Sequence, residues 1–303
     1  MKKAIQLITF ILFYPIIWLI SILPFPLLYL FSDFIYVLLY YIIGYRKKVV
    51  RSNLALAFPE KSKGDLLHIE KKHYKHLTDI FMEMIKTFTI SKKTLAKHYT
   101  YKNLAIFDEL QEQSIIIVGG HYNNWEWVVQ LPQFIKHKGY AAYAKIENPY
   151  FERVIKNSRE RFGSHFIKTY NFIKVFEANK TNNIISVTGL LSDQSPVYHK
   201  TKFWTKFMGV CVPTHIGAEL LAKKSNQAYV FINVTKVKRG YYEVAFELIT
   251  KTPNDYPDFK LTEIFISKLE AQIRKKPEYY FWTHKRWKLK NHEKQKEAKI
   301  SCE

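Results

Sequence analysis

From Ala4 to Phe31 the chain carries no charged residue, and the run AIQLITFILFYPIIWLISILPFPLLYLF exceeds the ~20 apolar residues that cross a bilayer. Pro24 and Pro26 predict that a first helix ends near Ile22. A second apolar stretch, FIYVLLYYIIGY, comes after Asp33 and is too short to span by itself, so it reads as a re-entrant or interfacial helix. RKKVVRSNLALAFPEKSKGD reads as a basic connector with a turn at 59–64. Leu77, Ile80, Phe81, Met84, Ile85 and Phe88 then recur at helical spacing and predict an amphipathic helix over 65–88.

From Ser114 the pattern changes to short apolar runs. SIIIV, YAAYA, IISVTGLL, AYVFINV and YYEVAFELI read as strands, the first as a buried one. Helical patterns intervene at 149–161, 172–178 and 216–223, and Leu261, Ile264, Phe265, Leu269 and Ile273 mark one more. Alternation of this kind predicts an α/β layered domain. The expected division is an anchor over 1–45, a catalytic α/β domain over 46–290 and a basic solvated tail over 291–303.

The formal net charge is +21 over 303 residues, with a pI near 9.6. Nucleic acid, an anionic membrane surface or an acidic partner would each suit it. The apolar amino end selects the membrane over nucleic acid. Arg46, Lys47, Lys48 and Arg51 outnumber Lys2 and Lys3 on the other flank, which places the chain beyond residue 45 on the cytoplasmic side. Cys211 and Cys302 are too few for a disulfide scaffold and lack metal-ligand spacing, so a reducing compartment and a packed Cys211 thiol are expected.

The strand SIIIV runs into GGHYNNWEW, which sets His121 just past two glycines and Glu126 five residues on. Sites in open α/β sheets form beyond the carboxyl ends of strands. On one continuous helix, five residues place two side chains on different faces. With His121 on the loop and Glu126 in the first turn of a helix capped by Asn123 or Asn124, the two can meet. Histidine titrates near neutrality and can take a proton from a hydroxyl, and a carboxylate behind the ring fixes its tautomer. Taken alone, the motif describes a structural histidine at least as well. His121 and Glu126 lack H-E-x-x-H spacing and have no third ligand to nominate, so no metal is expected.

GGHYNNWEW resembles the HxxxxE motif of the lysophospholipid acyltransferase superfamily, in the form found in its lipid A biosynthesis (Kdo2-lipid A lauroyl/myristoyl) branch. RKKVVRSNLALAFPE, NPYFERVIKNSRERFG, SDQSP, FMGVCVPTHIGAELLAKKSNQAYVF and YYFWTHKRWK are similar to further blocks of that branch, in the same order. The resemblance implies a glycerol-phosphate-acyltransferase-like fold, a mixed sheet flanked by helices behind an N-terminal membrane-anchoring helix. It implies an inner-membrane O-acyltransferase that uses no cofactor. The donor would be a thioester of acyl carrier protein or coenzyme A, and the acceptor a hydroxyl of a lipid A precursor or, alternatively, of a lysophospholipid or aminolipid. The charge and the apolar amino end by themselves suit a non-catalytic basic membrane-binding protein equally. His121 would be the general base and Glu126 its support. Arg159, Arg161, Asp193 and Gln194 would contact substrate, Arg159 in preference to Arg161, with Asp193 and Gln194 positioning the acceptor or supporting His121. In WTHKRWKLK the tryptophans are expected at headgroup depth, with His284, Lys285 and Arg286 at the surface or against substrate. Two positions depart from the branch. Asn123 stands where glycine is usual and tolerates positive φ, and Ser195 replaces a common second aspartate.

Overall fold

The computed structural model describes residues 2–293 and 298–302. Its strands are β1 (Tyr99–Tyr101), β2 (Ile115–Gly119), β3 (Lys138–Tyr143), β4 (Ser164–Lys168), β5 (Ser186–Leu191), β6 (Phe203–Phe207), β7 (Val210–Pro213), β8 (Ala228–Lys238), β9 (Tyr241–Thr250) and β10 (Lys299–Ser301). Its helices are α1 (Lys2–Ile22), α2 (Phe25–Val37), α3 (Lys47–Ala57), α4 (Lys63–Lys86), α5 (Lys92–His98), α6 (Ala105–Glu109), α7 (Pro149–Glu160), α8 (Thr169–Thr181), α9 (Gly217–Lys224) and α10 (Lys260–Lys275).

Seven strands form one sheet in the order β1-β9-β8-β2-β5-β3-β4. It is mixed: β8 and β9 pair antiparallel, while β2 lies parallel to both β5 and β8. Every residue of β2 is buried, as a central strand covered on both faces requires. One core packs α4, α8, α9 and α10 against one side, where Tyr74, Phe172, Ala222 and Leu269 meet. The other centres on Trp127, Phe162 and Tyr242. The α/β layered expectation and its mixed sheet are both present.

The first helix ends at Ile22, where the prolines place it. The second apolar helix is longer than expected. It begins at Phe25, with Pro24 as N-cap and Pro26 in its first turn where proline is tolerated, and continues through a π-helical turn to Ile43. Both apolar helices have the length and composition to cross a membrane. Both ends of α1 nevertheless bond to the α/β unit. Gln6 donates to the Glu147 carbonyl, and Lys86 Nζ donates to the Ser21 and Leu23 carbonyls at 2.8 and 2.7 Å. The helix therefore lies along the α/β unit and turns Ile5, Ile8, Ile11, Leu12, Ile16 and Leu19 outward.

Three further expectations are corrected. The stretch read as a basic connector is α3, whose Val50, Asn53, Leu54 and Ala57 are buried. The tail read as solvated returns: β10 pairs with β6, and Cys302 is disulfide-bonded to Cys211, which is therefore not the free packed thiol that the expected reducing compartment would leave. Trp282 and Trp287 are not at a surface. They stack on each other, centroids 6.0 Å apart, inside the core, and Arg286 between them is 1% exposed.

Candidate active site

His121 sits two residues beyond the paired end of β2 at Gly119, directly after Gly120. The two glycines serve close packing rather than a special φ. A Cβ at Gly119 would fall 2.5 Å from Ile232 Cγ2, and one at Gly120 2.7 Å from Leu269 Cδ1. The loop is pinned from the far end of the chain: Phe281 N donates to the His121 carbonyl and Asn123 N to the Tyr279 carbonyl. Asn123 holds φ +54°, so the turn survives the loss of the usual glycine, and its side chain donates to the Val234 carbonyl. The helix expected next is a 3-10 helix, Trp127–Gln133, containing Pro132, and Asn124 Oδ1 accepts from the Glu126 and Trp127 amides in front of it.

The imidazole does not hydrogen-bond Glu126. Its Nδ1 bonds Asp193 Oδ1 at 2.7 Å, and its Nε2 lies 3.3 Å from Gln194 Nε2. A carboxylate can only accept, so the proton of the neutral ring sits on Nδ1, and Nε2 is the basic nitrogen, its lone pair accepting from the Gln194 amide. Asp193 is 1% exposed, whereas the His121 side chain keeps 19% exposure. Burial opposes charging the ring, but the Asp193 charge and hydrogen bond, with Glu126 adding at longer range, raise its pKa overall. Burial likewise opposes the Asp193 carboxylate, and His121 lowers its pKa overall. Trp125 and Phe281 wall the ring at centroid distances of 5.2 and 5.9 Å.

Glu126 has a different partner. Arg159 grips it with two hydrogen bonds of 2.9 Å, Nε to Oε2 and Nη2 to Oε1, and both side chains are largely buried. Arg159 lies on α7, which Asn148 caps by accepting from the Tyr150 and Phe151 amides. Arg161, two residues on, faces elsewhere and donates to the Thr87 and Ile90 carbonyls beyond α4. It braces that turn and does not line the cavity that Arg159 borders. The expected His121–Glu126 contact thus resolves into two pairs, His121–Asp193 and Arg159–Glu126.

His121, Glu126, Arg159 and Gln194 all border one cavity of about 710 Å³, together with His215. The remainder of its wall is mostly apolar, with Ile117, Val129, Leu131, Ala141, Tyr143, Phe166, Phe172 and Val187 along it. The volume lies within the range of small-molecule sites, and a few polar groups in an otherwise apolar cleft suit an amphiphile. Phe10 of α1 touches Tyr150 and Phe151 of α7, centroids 5.6 and 5.2 Å apart, so the exposed apolar helix abuts the element that carries Arg159.

Behind the pair lies a second layer. The Ser195 amide donates to His284 Nε2 at 3.1 Å, and His284 is kept neutral, its pKa pushed down to about 4 chiefly by burial. Arg286 holds the Pro213 carbonyl and Thr214 Oγ1. Neither His284 nor Arg286 is at an outer surface as expected, and both fix the 193–195 loop or its neighbours. His215, Trp125 and Phe281 carried no sequence signal of their own, because each reaches the site only through the folding of distant segments.

A profile of the bacterial lipid A biosynthesis acyltransferases matches residues 2–289. The chain belongs to that family. Among relatives of this acyltransferase, the lipid A biosynthesis palmitoleoyltransferase of Escherichia coli (strain K12) is 24% identical over 252 residues, covering 81% of this chain and 79% of the relative. The lipid A biosynthesis acyltransferase of Shigella flexneri matches with the same identity and coverage. The protein is accordingly an acyltransferase that acts on lipid A.

Proposed function

We propose that this acyltransferase moves a fatty acyl chain from a thioester, carried by acyl carrier protein or coenzyme A, to a hydroxyl of a lipid A precursor, with His121 as general base. The observation that carries the reading is the 2.7 Å bond from His121 Nδ1 to buried Asp193, which leaves Nε2 on the wall of a largely apolar cavity. The acceptor hydroxyl gives its proton to Nε2 as its oxygen attacks the thioester carbonyl. The C–S bond then breaks, and the departing thiolate takes the proton back from the imidazolium. Asp193 stabilises that imidazolium, and no acyl-enzyme forms. Gln194 positions the acceptor, the apolar wall takes the acyl chain, and Arg159, its charge met by Glu126, shapes the polar end. No cofactor takes part.

The exposed apolar faces of α1 and of Phe25–Ile43 seat the enzyme on the inner membrane, with the α/β unit on the cytoplasmic face, the side on which the basic residues Arg46, Lys47, Lys48 and Arg51 follow the second apolar helix. The test is His121→Ala. Acyl transfer to a lipid A precursor should fall by roughly 10²–10⁴-fold, the usual contribution of a positioned base, while circular dichroism and membrane recovery match the parent. Near-parental turnover would remove His121 from the reaction.

A further inference from the structure

A second cleft, of about 260 Å³, opens between α3 and the C-terminal segment. Lys48, Lys285, Lys288 and Lys290 converge on it, all exposed, with Ser52 and Asn53 among its polar lining. Among the described residues none of these four lysines is ion-paired. The wall itself is mostly apolar, so the four exposed lysines ring the hollow; like charges so grouped repel one another, and an anion seated among them relieves that repulsion.

The cleft has a built floor. Asn53 is 5% exposed and donates to the Trp282 and His284 carbonyls, both at 2.8 Å, and Arg46 donates to the Thr283 carbonyl. These bonds hold α3 against the C-terminal segment and fix the spacing of the lysines on either side. Position selects the ligand. Lys48 lies five residues past Ile43, where the second apolar helix ends, so at most ~18 Å of chain separates the cleft from that end. If the apolar helices lie in a bilayer, the cleft faces its headgroups.

We infer that the cleft between α3 and the C-terminal segment is a binding site for the phosphate of an anionic phospholipid headgroup, separate from the cavity that holds His121. Lysine suits the task, as several compact point charges can surround one phosphate without a fixed fork. The inference rests on the proposed membrane seating, and neutral and anionic vesicles separate the two.

The full chain is floated with vesicles of phosphatidylcholine alone, and with vesicles in which a fifth of the lipid is phosphatidylglycerol. Binding to the neutral vesicles tests the apolar anchor by itself. Added phosphatidylglycerol should strengthen binding, and Lys48→Gln/Lys288→Gln should weaken that gain by about 30-fold, two charges being lost near an anionic surface. Neutral-vesicle binding should stay unchanged. The control Lys92→Gln/Lys93→Gln, on exposed lysines of α5, should keep the full gain. In detergent, short-chain phosphatidylglycerol should bind saturably and be lost in the α3 variant. Competition by inorganic phosphate would support the phosphate as the recognised group. A gain that survives in the α3 variant, or falls equally in the control, would overturn the site. So would a variant that loses acyl carrier protein binding while its phosphatidylglycerol titration is intact. Failure on neutral vesicles would instead count against the anchor.

Discussion

Two carboxylates stand close to the cavity, Glu126 on its wall and Asp193 behind His121, and they differ in what they hold. Asp193, on the loop after β5, is almost fully buried and bonds the His121 ring. Glu126, ahead of the 3-10 helix, is clamped in a two-point pair with Arg159 of α7. Sequence spacing favours Glu126 as the partner of His121, because it is five residues away and Asp193 is 72. The sheet reverses that preference. β2 and β5 are parallel neighbours, with Gly119 paired to Leu191, so the two loops beyond their carboxyl ends emerge side by side. Neighbouring strands, not neighbouring residues, assemble the pair.

The contrast can be broken experimentally. The largest effect is expected from Asp193→Asn, which keeps the shape but offers His121 an amide in place of a charge. Steady-state turnover should fall by roughly 10²–10⁴-fold, as for other losses in general-base catalysis. Glu126→Gln should cost less, about tenfold in kcat/KM, from a weakened charge-assisted pair that leaves Arg159 under-neutralised beside the cavity. If Glu126→Gln proved the more damaging of the two, the roles of the two carboxylates would be exchanged. Arg161→Ala sharpens the comparison from outside the site. It should lower thermal stability by about 1–3 kcal/mol, by leaving the Thr87 and Ile90 carbonyls without their donor. Turnover per folded molecule should stay at the parental level.

Much of this arrangement is legible in the unfolded chain, and the illegible parts share a cause. Long periodic elements read correctly, since apolar spacing reports which face is covered: α4, α10 and the strands β2, β5, β8 and β9 fall where their patterns place them. β1, of three residues, is too short to show alternation, and in β4 (SHFIK) only two of five residues are apolar, and they are adjacent. The second apolar helix reads as short because a charge at Asp33 looks like a boundary. In the structure Asp33 pairs with Arg239 from the β8–β9 turn, and the helix runs through it. WTHKRWKLK mixes indoles with cations as an interfacial segment does, yet Trp282, Arg286 and Trp287 are interior, with two Arg286 nitrogens held by the Pro213 carbonyl and the Thr214 hydroxyl and its Nε unpartnered among the described residues. Composition cannot separate an interface from a core that encloses a charged side chain. For the same reason His121, Arg159, Asp193 and Gln194 can be named individually from the chain, while their pairing depends on the sheet.

The dependence of kcat/KM on pH in the parent and in Asp193→Asn tests the central pairing most directly. Protonated imidazole cannot accept a proton, so activity is lost as pH falls through the His121 pKa. That pKa is raised by Asp193, which places the parent's acid limb above the ordinary histidine value of about 6.5. Without the aspartate charge, burial prevails and the limb should move to lower pH, with Glu126→Gln moving it much less. An acid limb unmoved in Asp193→Asn but displaced in Glu126→Gln would contradict the assignment.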